Sequence, residues 1–307
     1  MNFQEQQNSF INELLAKGIK VKENLLGKNY TTFCIGGNLA CLIEPENIDE
    51  LKIVIKTLSN YNISFKILGA GSNLLISSLG IFEPIIKLGK GFRYCNHYND
   101  KCFIVGGSMS LMSLSRDLSN DGLSGLEFAG GIPASIGGAV KMNAGAHNSE
   151  MANIIRYVTF MNEQAEVFRL SREDIDFSYR NSNLPNNIII TEIEIEMATS
   201  TKDMVLSQKQ EFLRERKLRQ PLNMPSAGSI FKNPDPRNQV YAGKLIEEIG
   251  YKGYKYGGAS VSELHCNWIV NPLRTAISDD VKEIIAEIKK KVLDSKGISL
   301  ETEIIYW

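Results

Sequence analysis

The 307-residue sequence lacks several features that would assign a protein to a class at once. Lysine and arginine together number 34 and aspartate and glutamate 35, so no excess charge would draw the protein to nucleic acid or an anionic membrane. The five cysteines form no C-x-x-C pair, which fits neither a disulfide framework nor a zinc site. No apolar run is long enough to cross a membrane. These absences predict a globular protein without nucleic-acid or membrane partners, in which local groups hold any anionic ligand.

The first fifteen residues of the sequence do not have the pattern of a secretory signal. Residues 1–15 are polar, with helical spacing, and have no basic segment followed by an apolar stretch, so no secretory signal is expected. The odd number of unpaired cysteines favours a reducing compartment. Together these observations predict a cytoplasmic protein.

Apolar spacing and glycine punctuation predict a mixed α+β chain with a division near residue 200. Residues 192–197 give the clearest strand, because apolar residues alternate with three glutamates, which predicts one buried and one solvent-facing side. Helices are predicted at 10–17, 48–60, 111–120, 203–219, 242–249 and 278–296, with Ser278 as the N-cap of the last. Further strands are predicted as a pair within 30–44 around Gly36 and Gly37, and at 65–68, 74–76, 268–270 and 300–307.

A tight glycine loop at residues 69–73 follows a predicted strand. It lacks the third glycine of the G-x-G-x-x-G turn and is followed by strand-like residues instead of a helix, which argues against a Rossmann dinucleotide site. Backbone N–H groups in such a loop can still surround an anion. The residues alone leave two interpretations open, a phosphate-binding loop and an ordinary tight turn.

A second glycine-rich segment covers residues 130–146. No Gly-Lys-Ser/Thr follows, so it is not a Walker loop. Glycine at this density is typical of a backbone that closely approaches either a ligand or a second backbone, and the residues alone do not decide between them.

Several motifs, in the same order, resemble those of UDP-N-acetylenolpyruvoylglucosamine reductases, a family of FAD enzymes in bacterial cell-wall precursor synthesis. The motifs are Thr31-Thr32-Phe33 with Ile35-Gly36-Gly37, residues 69–74, residues 125–133, Gly137-Gly138-Ala139 and residues 143–146. The resemblance runs from about residue 28 to the end of the chain. It implies an FAD-binding fold of the vanillyl-alcohol oxidase type in residues 1–200, built of two α/β subdomains split near residue 80. A smaller α/β substrate-binding domain would cover 201–307, with the terminal strand 300–307 returning to the flavin site.

The resemblance also implies that both glycine segments hold the pyrophosphate of bound FAD through backbone amides. The implied cofactor residues are Gly69, Ala70, Gly71, Ser72, Asn73, Leu74, Gly131, Ile132, Pro133, Gly137, Gly138, Asn143 and Gly145. NADPH is the implied hydride donor.

Three residues gain a catalytic role from the resemblance. Arg180 and Glu303 would stabilise negative charge on the substrate, and Ser229 would donate a proton. By themselves they would be an exposed turn arginine, a turn serine and an exposed strand acid, and no histidine adjoins Ser229 to suggest a Ser-His-Asp hydrolase. The implied substrate is a small molecule, the enolpyruvyl ether of a UDP-sugar, acted on by a monomer. Its implied binding residues are Tyr179, Lys217, Lys232, Asn233 and His265.

The sequence departs from the family pattern in two places. Between Tyr179 and Lys217 there is no room for the additional substrate loop of longer members, so the chain resembles the short subtype. Leu264 and Cys266 stand where the pattern has lysine and alanine. Two alternatives remain at this stage: an FAD oxidase of the same fold, and a module that binds FAD or a sugar nucleotide without turnover.

Overall fold

The structure, a computed structural model, describes residues 3–307, which form two compact units that are discontinuous in sequence. Unit 1 contains the chain up to Glu23, Ala40–Ala70 and Glu83–Arg214. Unit 2 contains Asn24–Leu39, Gly71–Phe82 and Glu215–Trp307. The predicted domains, 1–200 and 201–307, are continuous, whereas two early segments pack with the C-terminal part of the chain. The division of function between those two ranges stays a prediction.

Most helices in the described residues agree with the predicted apolar spacing, but the first begins at Phe3, seven residues before its predicted start at residue 10. They are α1 (Phe3–Ala16), α2 (Ile48–Asn60), α3 (Leu111–Asn120), α4 (Ile136–Lys141), α5 (Lys202–Arg219), α6 (Ala242–Glu248) and α7 (Ser278–Lys296). Helix α4 was not predicted, because Gly137 and Gly138 have low helix propensity. Its N-cap Ser135 compensates by accepting a hydrogen bond from the Gly138 N–H. None of these helices combines the length and apolar character needed to cross a bilayer.

Strands are short and numerous. In chain order they are β1 (Lys20–Lys22), β2 (Leu25–Leu26), β3 (Asn38–Leu39), β4 (Leu42–Glu44), β5 (Lys66–Ile67), β6 (Leu74–Leu75), β7 (Ile85–Ile86), β8 (Cys95–His97), β9 (Cys102–Gly106), β10 (Leu123–Ser124), β11 (Gly145–Ala146), β12 (Ser149–Glu150), β13 (Ile155–Met161), β14 (Val167–Ser171), β15 (Phe177–Ser178), β16 (Asn181–Ser182), β17 (Ile189–Glu196), β18 (Ala198–Thr199), β19 (Ser226–Ser229), β20 (Lys255–Tyr256), β21 (Ala259–Val261), β22 (Trp268–Val270) and β23 (Ile305–Tyr306).

The predicted strand pair within residues 30–44 is wrong in its first half. Residues 30–37 are irregular, and the left-handed Cys34 (φ 57°) and the positive φ of Gly36 (146°) break any strand there. The Thr32 N–H instead donates to the carbonyl of Gly71 at 3.1 Å. Contacts distant in sequence therefore overrode the local alternation.

Unit 1 has two sheets of more than two strands, each with its own apolar core. The antiparallel sheet β14-β13-β17-β9-β8 buries Ile193 opposite Val158 and Val105. The sheet β1-β4-β7-β5 packs with α1 and α2 through a second buried cluster. The predicted solvent-facing side of β17 is only partly correct, because Glu194 is buried. It is ion-paired with Arg169 at 2.8 Å and with Arg156 at 3.5 Å, which offsets its desolvation.

Unit 2 is built on the antiparallel sheet β19-β22-β21-β20 and on the parallel pair of β6 with the C-terminal β23. Helix α7 covers the sheet with buried residues that include Ile284 and Ile288. The prediction that Ser278 caps α7 is wrong. Ser278 is the first helical residue and exchanges hydrogen bonds with Ser78, while Asp280 accepts from the Ile277 N–H at 3.0 Å.

Truncating Ile193 tests the core of unit 1. Ile193→Ala removes a fully buried side chain from the central strand and should lower the free energy of unfolding by about 2–5 kcal/mol. Val167→Ala, on an edge strand of the same sheet where the side chain is 44% exposed, is the control and should change it by less than about 0.5 kcal/mol. Urea unfolding measures both variants, and equal midpoints would contradict this packing.

Candidate active site

The first glycine loop, residues 69–73, joins β5 to β6 and has a backbone shape that requires glycine. Gly71 has φ +70°, and a Cβ there would lie 1.9 Å from the Tyr30 carbonyl oxygen. The Lys87 ammonium donates to the Gly69 carbonyl, and burial lowers the pKa of Lys87 below its usual range. The fold of unit 2 therefore sets the conformation of Gly71, while in unit 1 the half-buried Lys87 holds the Gly69 carbonyl.

The N–H groups of this loop point to an anionic ligand. Among the described residues, the backbone N–H groups of residues 69–73 have no hydrogen-bond acceptor. The amides of residues 71–73, which lie in unit 2, form a run of three donors without partners, and such a run matches an anion such as a pyrophosphate. The first glycine loop therefore fits the phosphates of FAD through donors of its own backbone.

The second glycine segment offers fewer free donors. The Gly137 N–H donates to the Gly107 carbonyl at 2.9 Å, the Ile132 N–H to the Ala129 carbonyl, and the Gly138 N–H to Ser135 Oγ. A Cβ on Gly145 would lie 2.5 Å from the Ser149 carbonyl oxygen, across the β11–β12 hairpin. Close approach to a second backbone thus explains Gly145, and the role of this segment in holding FAD stays a prediction.

The two glycine segments approach each other within unit 1. A Cβ on Gly69 would come within 2.6 Å of Ser135 Oγ, the hydroxyl that caps α4. The absence of a side chain at Gly69 therefore permits this contact. Ser135 and Lys87 were not predicted as site residues. The serine three residues before Gly138 was a capping signal in the sequence, whereas nothing marked Lys87.

Asn143, predicted as a cofactor residue, has a side chain that serves the protein's own backbone. It is fully buried, donates from Nδ2 to the Ser178 carbonyl at 3.0 Å and accepts at Oδ1 from the Ala152 N–H at 3.0 Å. Ser182 Oγ adds a hydrogen bond to the Lys141 carbonyl at 2.8 Å. These bonds fix the β15–β16 hairpin to the end of α4.

Tyr179 and Arg180 form the turn of that hairpin. Arg180 is half-buried and has φ 57°, an uncommon conformation for a residue other than glycine, and its guanidinium lies 5.1 Å from the Tyr179 ring centroid. Since the hairpin is anchored on both strands, the position of the arginine is set by the fold of unit 1.

In unit 2, Ser229 and Glu303 lie on paired segments. The Glu303 N–H donates to the Ile230 carbonyl at 2.8 Å, so Glu303 stands opposite the residue that follows Ser229. The side chain of Asn73, in the first glycine loop, donates to the Glu303 carbonyl at 3.1 Å. The fold thus brings together residues 73, 229 and 303, which are far apart in sequence.

Lys232 and Glu301 form an ion pair beside these residues, with Nζ 2.5 Å from Oε1. Glu301 is 72% exposed, while Lys232 is 26% exposed. The first acid of the Glu-x-Glu sequence therefore neutralises Lys232, and the catalytic role of Glu303, the second acid, stays a prediction.

The other predicted substrate residues differ in accessibility. Asn233 Oδ1 accepts from the Ala242 N–H at 3.1 Å, at the start of α6. His265 is largely buried, accepts at Nδ1 from the Asn267 N–H at 3.2 Å, and burial lowers its pKa. Lys217 is exposed in the last turn of α5. Asn267 holds Phe231 by two hydrogen bonds of 2.9 and 2.8 Å.

Comparison with known proteins tests the family resemblance that the motifs suggested. Residues 220–307 match the C-terminal domain of UDP-N-acetylenolpyruvoylglucosamine reductase, and residues 39–171 match an FAD binding domain. The chain belongs to the UDP-N-acetylenolpyruvoylglucosamine reductase family. A reductase of that name from Anoxybacillus flavithermus is 43% identical over 95% of this chain and 96% of its own, and that of Bacillus subtilis is 39% identical over 93% and 96%.

A solved structure of a reductase of this family supports the same assignment. The enzyme from Thermus caldophilus is 36% identical, covers 94% of this chain and 99% of its own, and superposes with a TM-score of 0.80. The resemblance drawn from the glycine loops is thereby confirmed, as is the α+β class with an FAD-binding domain. The roles of individual residues stay predictions.

Replacing Gly71 tests the first loop. Gly71→Ala should weaken FAD binding at least about tenfold, because its Cβ would collide with the Tyr30 carbonyl and displace the free amides. Gly297→Ala is the matched control: it has a similar φ of +66° but nothing within 4 Å of its Cβ, so it adds only the strain of about 1–2 kcal/mol. The ratio of flavin to protein absorbance in purified samples measures the effect. Full FAD occupancy in the Gly71 variant would count against the loop.

His265 should make stability fall at acidic pH. Its folded pKa is lowered by burial, so its contribution is fully present above its unfolded pKa of about 6.5 and is lost as pH falls from there through the folded pKa. His265→Gln should remove part of this dependence, which cannot exceed about 1.4 kcal/mol per pH unit. Urea unfolding of both proteins between about pH 7.5 and 5 measures it. An unchanged slope in the variant would show that His265 protonates freely in the folded state.

Proposed function

We propose that this protein reduces UDP-N-acetylglucosamine enolpyruvate to UDP-N-acetylmuramate with NADPH and bound FAD, in the synthesis of peptidoglycan precursors. The main support is identity of 43% to a named reductase over nearly the full length of both chains. The pairing of the Ser229 and Glu303 segments adds support from the site itself.

The backbone amides of residues 69–73 would hold the FAD pyrophosphate, since they have no hydrogen-bond acceptor among the described residues. When bound, FAD supplies the hydride chemistry that no amino-acid side chain can provide, taking a hydride from NADPH for delivery to the enolpyruvyl group. The remaining steps depend on side chains of the protein.

Arg180 would bind the substrate carboxylate. Its guanidinium is planar and permanently charged, so it can hold a carboxylate through two parallel hydrogen bonds. When the terminal carbon of the double bond gains a hydride, negative charge develops toward that carboxylate, and a fixed cation stabilises it. The anchored hairpin would supply this cation without reorganisation.

Ser229 would donate the proton that completes the reduction, and Glu303 would assist in stabilising the intermediate. A neutral hydroxyl is a weak acid, so it needs a strongly basic carbon and close placement. The positive φ of Gly228 (+80°) and the irregular register of β19 set the direction of the Ser229 backbone. The ladder to the Glu303 segment then fixes its position.

The sugar nucleotide would be bound by Tyr179, Lys217, Lys232, Asn233 and His265. Lys232 is the strongest candidate for a phosphate, because its ion pair with exposed Glu301 can exchange for a ligand anion. His265 would act as a neutral group that supports Asn267.

A monomeric state and a cytoplasmic location complete the proposal. Both reactants of the proposed reaction are small anionic nucleotides, which require no partner protein. Light scattering of the purified protein tests the monomer directly.

Anaerobic spectroscopy tests the function. NADPH should bleach the flavin absorbance, and only UDP-N-acetylglucosamine enolpyruvate should restore it. Recovery with oxygen alone would favour an oxidase, and a bound flavin that NADPH cannot reduce would favour a binding module.

Ser229→Ala separates the two half-reactions. Recovery of flavin absorbance on adding substrate should slow by about 10²–10⁴-fold, because the proton donor is lost, while bleaching by NADPH should be unchanged. Ser226→Ala, in the same strand but with a buried side chain, is the control. Stopped-flow absorbance measures both rates. Equal recovery in the Ser229 variant and the native protein would assign the proton to another group.

A further inference from the structure

A pocket of about 390 Å³ opens in unit 2. It is lined by Lys28, Asn29, Thr31, Cys34 and Arg274. The first four come from the segment between β2 and β3, and Arg274 from the loop between β22 and α7. None of these residues has a role in the reaction proposed above. The volume is within the range of small-ligand sites.

The charge of the pocket selects for anions. Its lining contains two cations, Lys28 and Arg274, and no acid. Within residues 3–307, neither cation has an ion-pair partner. Two cations beside one pocket repel each other unless a counter-charge lies between them. A dianion would neutralise both.

The walls of the pocket are held together by one buried side chain. Asn271 is fully buried, and its Nδ2 donates to the carbonyls of Phe33 at 3.1 Å and Cys34 at 3.4 Å. Its Oδ1 accepts from the Ala276 N–H at 3.0 Å. This amide joins the backbone of the wall that carries Cys34 to the loop that carries Arg274, while the side chains of Lys28, Asn29 and Arg274 are exposed.

Both walls also contain backbone strain. Cys34 and Arg274 have φ values of 57° and 58°, although neither is glycine. Each such conformation costs about 1–2 kcal/mol and persists only where surrounding contacts impose it, most often at ligand sites. The strain occurs on the two segments that Asn271 links, which is consistent with a pocket shaped for binding.

We propose that this pocket binds a phosphate dianion, with Lys28 as a point charge and Arg274 as a planar donor of two hydrogen bonds. A carboxylate would need only one of the two cations, whereas a phosphate can use both. The Thr31 hydroxyl donates to the Ile35 carbonyl at 3.2 Å, so the donors for the ligand come from the two cations and the Asn29 amide. The phosphate could belong to a nucleotide of the proposed reaction or to a free inorganic anion.

Calorimetric titration of the FAD-loaded, full-length protein with inorganic pyrophosphate tests the site. Lys28→Gln and Arg274→Gln should each weaken binding about tenfold, the effect of losing one charged hydrogen-bond donor. Arg274→Lys keeps the charge and should recover part of the affinity. Lys290→Gln is the matched control, because it also removes one exposed positive charge but far from the pocket. Lys290 lies twelve residues along α7 from its first residue, Ser278, which is about 18 Å of helix rise away from the end of the helix that follows Arg274.

Kinetics with NADPH and NADH identify the source of the phosphate; this arm rests on the proposed function. If the 2′-phosphate of NADPH occupies the pocket, both Gln variants should raise the KM for NADPH about tenfold and leave that for NADH unchanged. If a free anion is the ligand, pyrophosphate affinity should fall while both KM values stay constant.

The proposal is overturned if the native protein does not bind pyrophosphate, or if both Gln variants bind it like Lys290→Gln. Calorimetry does not require turnover, so it remains decisive even if the reductase assignment fails. Urea midpoints of the variants establish that each is folded.

Discussion

The pairing of the C-terminal segment with residues 73–77 determines the arrangement of unit 2. Strand β23 runs parallel to β6, the Ile305 N–H donates to the Asn73 carbonyl at 2.9 Å, and the Ser77 N–H donates to the Trp307 carbonyl at 2.7 Å. The same segment pairs upstream with residues 230–232. One extended stretch thus joins the glycine loop to the Ser229 segment, and the last seven residues of the chain are essential to the proposed chemistry.

Buried asparagines give the irregular segments their fixed positions. Asn143 in unit 1, and Asn267 and Asn271 in unit 2, are each almost fully buried, and each uses both its donor and its acceptor on the protein's own hydrogen-bonding groups. A buried amide that is fully hydrogen-bonded specifies one geometry, since any shift would leave a polar group unsatisfied at a cost of about 1–3 kcal/mol. Loops that carry function here are therefore held as firmly as regular structure.

Sequence patterns predicted regular elements well and irregular ones poorly. Helices α2 and α3 were found to the residue because Asn47 and Leu111 mark clear starts of periodic apolar stretches. The prediction of a strand at residues 30–37 was wrong, because the hydrogen bond from the Thr32 N–H to the Gly71 carbonyl overrides the local alternation. Helix α4 was not predicted, because its glycines have low helix propensity. The site residues came from resemblance of motifs. Neither the half-buried Lys87 nor the buried Asn271 has a local pattern, because their partners lie far away in the sequence.

Backbone strain is what the sequence could least reveal. Arg180, Cys34, Arg274 and Asn143 all have positive φ, and only asparagine among these types favours that conformation. Glycine would adopt it at lower cost, so an arginine in this conformation points to a role for its side chain. For Arg180 the proposed carboxylate contact gives a reason. Arg274 has no contact within its unit that would need an arginine in a strained turn, and a ligand for its guanidinium supplies the missing reason.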